Sequence, residues 1–221
     1  MKTLEIEIPV KGVILTGNLS IPENVKAVVL FSHGSGSSRF SAGNIKVAKV
    51  LYEHRIATLL TDLLSPEEDK IYENRFDIEL LTERLVLVTN FIDQMPELNN
   101  LPMAYFGAST GAASALKAAS ILPEKIHAIV SQGGRPDLVY ADLKFVKAPT
   151  LFIVGSLDGV VIELNRQALK FLKYEKELEI INGATHLFEE PGKLQKVAEI
   201  ATMWFEKQLI NPKIQNHVLQ Q

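Results

Sequence analysis

The feature that most constrains this 221-residue chain is a series of short, mostly apolar runs set between stretches of helical periodicity. Further runs follow at 103–106, 126–131, 150–154 and 178–181, but AVVLFS at Ala27–Ser32 and the second run, at 57–61, are too apolar for strands with one wet face. They suit strands covered on both faces, the situation inside a parallel sheet. Helices are expected over 42–54, 76–95 and 163–174, with a small-residue helix ending near 122–123 and a last helix over 192–209. A polar loop, SPEEDKIYENR, precedes the second of these. Ahead of the first run, 4–9 and 13–19 alternate in and out around Gly12, which predicts an antiparallel hairpin. Strand and helix alternate through the body, so the fold class is α/β: a mostly parallel central sheet, helices on both faces and an N-terminal antiparallel hairpin. Residues 1–210 read as a single domain and 211–221 as a polar, frayed C-terminal tail.

In such sheets ligands bind beyond the carboxyl ends of the strands. Three strand ends carry chemistry-bearing residues. The first is Gly107-Ala108-Ser109-Thr110-Gly111, between a buried strand and a helix rich in alanine. G-x-S-x-G in that setting describes a turn so tight that the serine backbone is strained and its hydroxyl stands clear of the sheet. The pattern alone recurs by chance; the strand–turn–helix setting makes it specific. The second is Asp158 in GSLDG, after the run TLFIV. Alone it reads as a turn aspartate bonding its own backbone; downstream of Ser109 it reads as the acid that orients a histidine. The third is His186 in GATHLF, on a loop after ELEII. Of the other histidines, His54 ends a helix, His127 lies in or beside a strand, His217 is in the tail, and His33 is a structural histidine bonding its loop. The order Ser, Asp, His along the chain separates this arrangement from the protease orders. Asp137 is a rival for the acid.

An oxyanion hole needs two backbone donors. They are expected from Thr110, next to the serine, and from His33-Gly34-Ser35-Gly36, with Ser35 ahead of Gly36. The competing reading of HGSGSS is a phosphate cradle, although it lacks the lysine and spacing of the known phosphate loops. Arg39 and Arg135 are candidates to hold a substrate carboxylate, against plainer readings as a solvent-facing loop residue and as a partner of Asp137. Glu189 and Glu190 read as a solvated or helix-capping pair. Between 132 and 149 there is room for one or two short helices, hence a minimal lid or none.

Composition narrows the classes. The net charge is −3 with no basic stripe, so nucleic acid is not an expected partner. The absence of cysteine excludes disulfides, thiolate metal sites and a cysteine nucleophile. No signal-peptide core opens the chain and no apolar stretch is long enough to span a bilayer, so a cytoplasmic protein without a membrane partner is expected. No cluster has metal-ligand spacing.

SHGSGSSR, FGASTGAASAL, SQGGRPDL, APTLFIVGSLD and GATHLFEEPG together resemble the dienelactone hydrolase-like family of α/β hydrolases, over nearly the whole chain. That resemblance implies a hydrolase of esters or lactones working without metal or organic cofactor, with Ser109, His186 and Asp158 in the triad roles. Dienelactone hydrolases proper are identified with a cysteine nucleophile, so the serine here points to a serine esterase. The alternatives are a thioesterase or peptide-type acyl hydrolase using the same residues, and a non-catalytic binding protein on the same fold.

Overall fold

The apolar runs become strands of one eight-stranded sheet in the computed structural model, which describes residues 1–210. β1 (Leu4–Val10) and β2 (Val13–Ser20) form the expected hairpin, pairing in register from Leu4–Leu19 to Val10–Val13. Then follow β3 (Ala27–Ser32), β4 (Ile56–Thr61), β5 (Met103–Ala108), β6 (Ile126–Gln132), β7 (Thr150–Gly155) and β8 (Lys176–Ile181). Their spatial order is β1-β2-β4-β3-β5-β6-β7-β8, with β1, β2 and β4 joined antiparallel and every later pair parallel. β3, β4 and β7 are buried at every residue, while β8, at the edge, is largely exposed.

Successive residues of the inner strands serve opposite layers, as the pleat requires. Val28, Leu30 and Tyr105 pack beneath α3 (Ile78–Asp93), α4 (Thr110–Ile121) and α5 (Gly159–Phe171). Val29, Phe31 and Phe106 pack beneath α1 (Ala42–Glu53) and α6 (Lys193–Phe205). Parallel crossovers deliver the loops after β3, β5, β7 and β8 to one end of the sheet, and this is what gathers the site. No helix among the described residues is long and apolar enough to cross a membrane.

Three local expectations are corrected. The polar loop after β4 holds a helical turn, α2 (Pro66–Asp69), and a 3-10 turn at Tyr72–Phe76. A capping box at Ser65 and Glu68 closes α2 from both sides. α5 starts at Gly159 rather than near Glu163, because Val161 and Ile162 bury against Val154 and Leu178 and tertiary packing overrides their weak helix propensity. The last α-helix stops at Phe205 and loosens into a π-turn at Glu206–Ile210. The tail 211–221, with His217, lies outside the described residues.

Glu68 also ties α2 to α3, accepting from the Arg84 guanidinium at 2.7 Å. Burial pushes its carboxyl up, but hydrogen bonds from the Ser65 N–H and from Arg84, with the guanidinium charge, outweigh this and hold it below the usual range. A pKa lowered on folding contributes stability above the unfolded value and loses it as pH falls through the folded one. Glu68→Gln is therefore expected to lower stability by about 1 kcal/mol at neutral pH. Urea denaturation across the acid range should show the difference from the parent closing as the carboxyl protonates.

Candidate active site

β5 runs into α4 with a single residue between them, Ser109, at φ 51° and ψ −121°. A non-glycine residue is strained there and stays only if its surroundings over-determine it. The Ser109 N–H donates to the Gln132 carbonyl at 3.0 Å, and its carbonyl accepts from Arg135 N–H at 3.1 Å and Ala112 N–H at 3.2 Å. The two flanking glycines are enforced by contact. A Cβ on Gly107 would lie 2.5 Å from the Ala112 Cα, and one on Gly111 would lie 2.2 Å from the Ser32 carbonyl oxygen. A buried hydroxyl pair, Ser32 Oγ to Ser114 Oγ at 2.8 Å, braces β3 against α4.

Asp158 follows β7 at the N-cap of α5, and His186 sits on the loop after β8. The imidazole Nδ1 is 2.6 Å from Asp158 Oδ2, and Nε2 is 3.3 Å from Ser109 Oγ. The structure thus brings Ser109, His186 and Asp158 into one hydrogen-bonded chain. Asp137 is not part of it: Arg135 grips both its carboxylate oxygens, at 2.9 and 2.8 Å. The histidine loop is fixed from below. Gly155 lets it approach, since a Cβ there would meet the Ala184 carbonyl oxygen at 2.3 Å. Gly133, at φ 52°, lies under the ring, its would-be Cβ 3.2 Å from His186 Cε1. Glu190 accepts the Thr185 N–H at 3.0 Å, and hydrogen bonding from the Thr185 side chain above all, with smaller help from backbone N–H groups, holds its carboxyl below the usual range. The sequence reading passed over Gly133 and Gly155, and took Glu190 for one of a solvated or helix-capping pair. The glycine pair after β6 and the glycine ending β7 were the visible signals.

A cavity of about 600 Å³ opens over Ser109 and His186. Gly34, Ser35 and Gln132 line it near the serine, and the start of α1 forms its far wall. Only two 3-10 turns, Pro136–Val139 and Leu143–Phe145, lie between β6 and β7, in keeping with the expected minimal lid.

The remaining residues singled out in the sequence fall in different places. Of the oxyanion donors, Thr110 N–H opens α4 and lacks an intrahelical acceptor. The Ser35 N–H instead donates to Thr110 Oγ1 at 2.8 Å. Gly36 lines a different hollow, with Phe40 and Arg75. Arg39 neither faces solvent nor enters the Ser109 cavity; it bonds Asp62 at 2.5 Å and Glu5 at 3.1 Å, beside a separate hollow of about 160 Å³ that also touches His33. Arg135 is held by Asp137 and does not line the cavity. His33 bonds its own loop, Nδ1 to the Gly34 carbonyl at 3.0 Å. Chemically, the chain from Asp158 to Ser109 can take a proton from a hydroxyl and return it to a leaving group.

Comparison with known proteins gives the same architecture. A dienelactone hydrolase from Anabaena variabilis is 49% identical, with a TM-score of 0.92 over 94% of this chain and 98% of that one. The esterase domain of a Rhodothermus marinus protein shares the fold at 16% identity, with a TM-score of 0.76 over 95% of this chain and 99% of that one. Two Mycobacterium tuberculosis proteins, provisionally named phosphoribosyl transferases, are 49% identical over 208 residues, 94% of this chain. The chain spans about half the length, 47%, of these curated relatives. No family model matches.

Gly111→Ala is expected to lower stability by about 2–4 kcal/mol, since both the new methyl group and its obstacle are fixed to backbone. Chemical denaturation measures this; a loss below about 0.5 kcal/mol, the size of an ordinary surface change, contradicts the packing described.

Proposed function

Because the chain belongs to the dienelactone hydrolase-like α/β hydrolases, enzymes of the hydrolase kind, we propose that it cleaves ester or lactone bonds of a small substrate as a carboxylesterase-like serine hydrolase. The observation that carries this reading is the hydrogen-bonded chain from Asp158 through His186 to a serine held in a strained turn at the cavity floor. Ser109 Oγ attacks the carbonyl carbon as its proton passes to His186 Nε2. Asp158 keeps the other ring nitrogen protonated and offsets the imidazolium charge. Thr110 N–H receives the oxyanion, joined by Ser35 N–H once the Thr110 hydroxyl turns away from it. Collapse breaks the bond to the leaving alcohol, which takes the proton from His186. In a lactone that alcohol stays tethered to the acyl group. Water, deprotonated by the same histidine, then releases the acid and restores Ser109.

The transferase name of the longer relatives does not alter this reading. Displacement at a ribosyl carbon has no use for an acyl-accepting serine, whereas the strained turn at Ser109 does.

A fluorophosphonate is expected to label Ser109 stoichiometrically, as mapped by mass spectrometry, and to leave Ser109→Ala unlabelled. That variant should lose at least roughly 10³-fold in kcat on short esters, and Asp158→Asn roughly 10³–10⁴-fold. A folded protein that takes no label, or an alanine variant that keeps turning over, overturns the assignment.

A further inference from the structure

The serine-rich loop after β3 and the first turn of α1 face the Ser109 cavity with groups the hydrolytic reading leaves unused. Asn44 is only 6% exposed and lines the cavity, yet its carboxamide has no hydrogen-bond partner among the described residues. Its polar atoms are not sealed in the protein, so they open to the cavity. Asparagine is a poor helix former, and its position in the first turn satisfies no cap: the capping bond there runs from the Asn44 N–H to Ser41 Oγ.

Most of the polar groups around that amide can donate hydrogen bonds. Ala42 and Gly43 open α1, so their N–H groups have no intrahelical acceptor, and both line the cavity. The first turn carries no acidic side chain to offset the positive end of a twelve-residue helix. Lys46, one turn beyond Gly43, also lines the cavity and has no carboxylate partner among the described residues. On the loop, Ser35 and Ser37 line the same space, and neither hydroxyl has a hydrogen-bond partner among the described residues. Glu189 is the one acidic side chain in the lining, and it is exposed.

The geometry points to a phosphate subsite: the first turn of α1, with Asn44, Lys46 and the Ser35–Ser37 loop, binds a phosphate monoester group of the substrate. A carboxylate has two oxygens to satisfy. A phosphate has three, and it suits a set of donors spread over a helix N-terminus, a buried amide, an ammonium and two hydroxyls. The inference rests on the hydrolytic reading only in saying that the phosphate belongs to a substrate; the binding can be measured without turnover.

Glycerol 2-phosphate is the probe, titrated calorimetrically into the full chain, with glycerol and succinate as controls. Binding near the millimolar range or tighter is expected for the phosphate, with neither control matching it. Asn44→Asp should weaken it at least about tenfold. The charge at a helix N-terminus is favourable and its burial is not, so retained fluorophosphonate labelling of Ser109 in this variant separates a loss of binding from unfolding. Lys46→Met, on the surface, should weaken it several-fold, and Glu189→Gln should tighten it. No binding by the native chain, equal binding by Asn44→Asp, or tighter binding of succinate overturns the subsite. Fluorophosphonate labelling of Ser109 in the same samples reports the hydrolytic reading separately, so the two fail independently.

Discussion

The backbone of Ser109 is in a conformation that no unassisted serine would hold, and much of the molecule is arranged around keeping it there. β5 and α4 meet with one residue between them, and the turn closes only because positions 107 and 111 carry no side chain. Gly111 brings the helix against the carbonyl oxygens that end β3, and the Ser32–Ser114 hydroxyl pair fixes that contact. On the other side, Gln132 and Arg135 hold the two backbone polar groups of Ser109 from the end of β6 and the loop beyond it. A strained residue gripped from two neighbouring strands cannot relax without moving the sheet. That is the pre-organisation the proposed chemistry requires.

The same parallel order explains why distant residues converge. β5 lies between β3 and β6, with β7 and β8 next in line, so the five loops that follow these strands open at one end of the sheet. Asp158 and His186 are 28 residues apart and meet because their strands are neighbours, with Gly155 letting the histidine loop lie against β7. The close approach of backbone to backbone replaces any long side chain in setting the imidazole. Small residues at 133 and 155 therefore position the site as much as the polar ones do.

These relations were legible in the sequence to different depths. Apolar runs marked the inner strands because burial on both faces leaves no choice of residue type, and Gly107 follows from sterics against Ala112, five residues on, whereas Gly111 is demanded by the end of β3. What escaped was set by partners remote in the chain. Arg39 looked free until β4 and the hairpin brought Asp62 and Glu5 to it. The Ser35 amide looked like an open donor until α4 presented the Thr110 hydroxyl, 75 residues away. The start of α5 was hidden by β-branched residues whose reason for being helical is the surface they cover. Local pattern reads backbone constraints well and polar pairings poorly, since a polar side chain can be satisfied by any neighbour the fold supplies.

Arg39 shows what such a pairing does for the cavity it does not enter. Its backbone N–H and its guanidinium both bond the Asp62 carboxylate, at 2.8 and 2.5 Å, and the side chain is mostly shielded. Asp62 directly follows β4, a strand hydrogen-bonded to β3. The loop leaving β3 is thus tied at both ends to adjacent strands: by chain connection at Ser32 and by the ion pair at Arg39. Between those ties lie Gly34, Ser35 and Ser37, which line the cavity beside Ser109. A loop with two glycines in four residues has little stiffness of its own. The loop keeps its place beside the cavity because a largely shielded charge pair on its far side holds the return path, so the arginine that looked like a ligand for substrate braces the cavity through the loop it anchors.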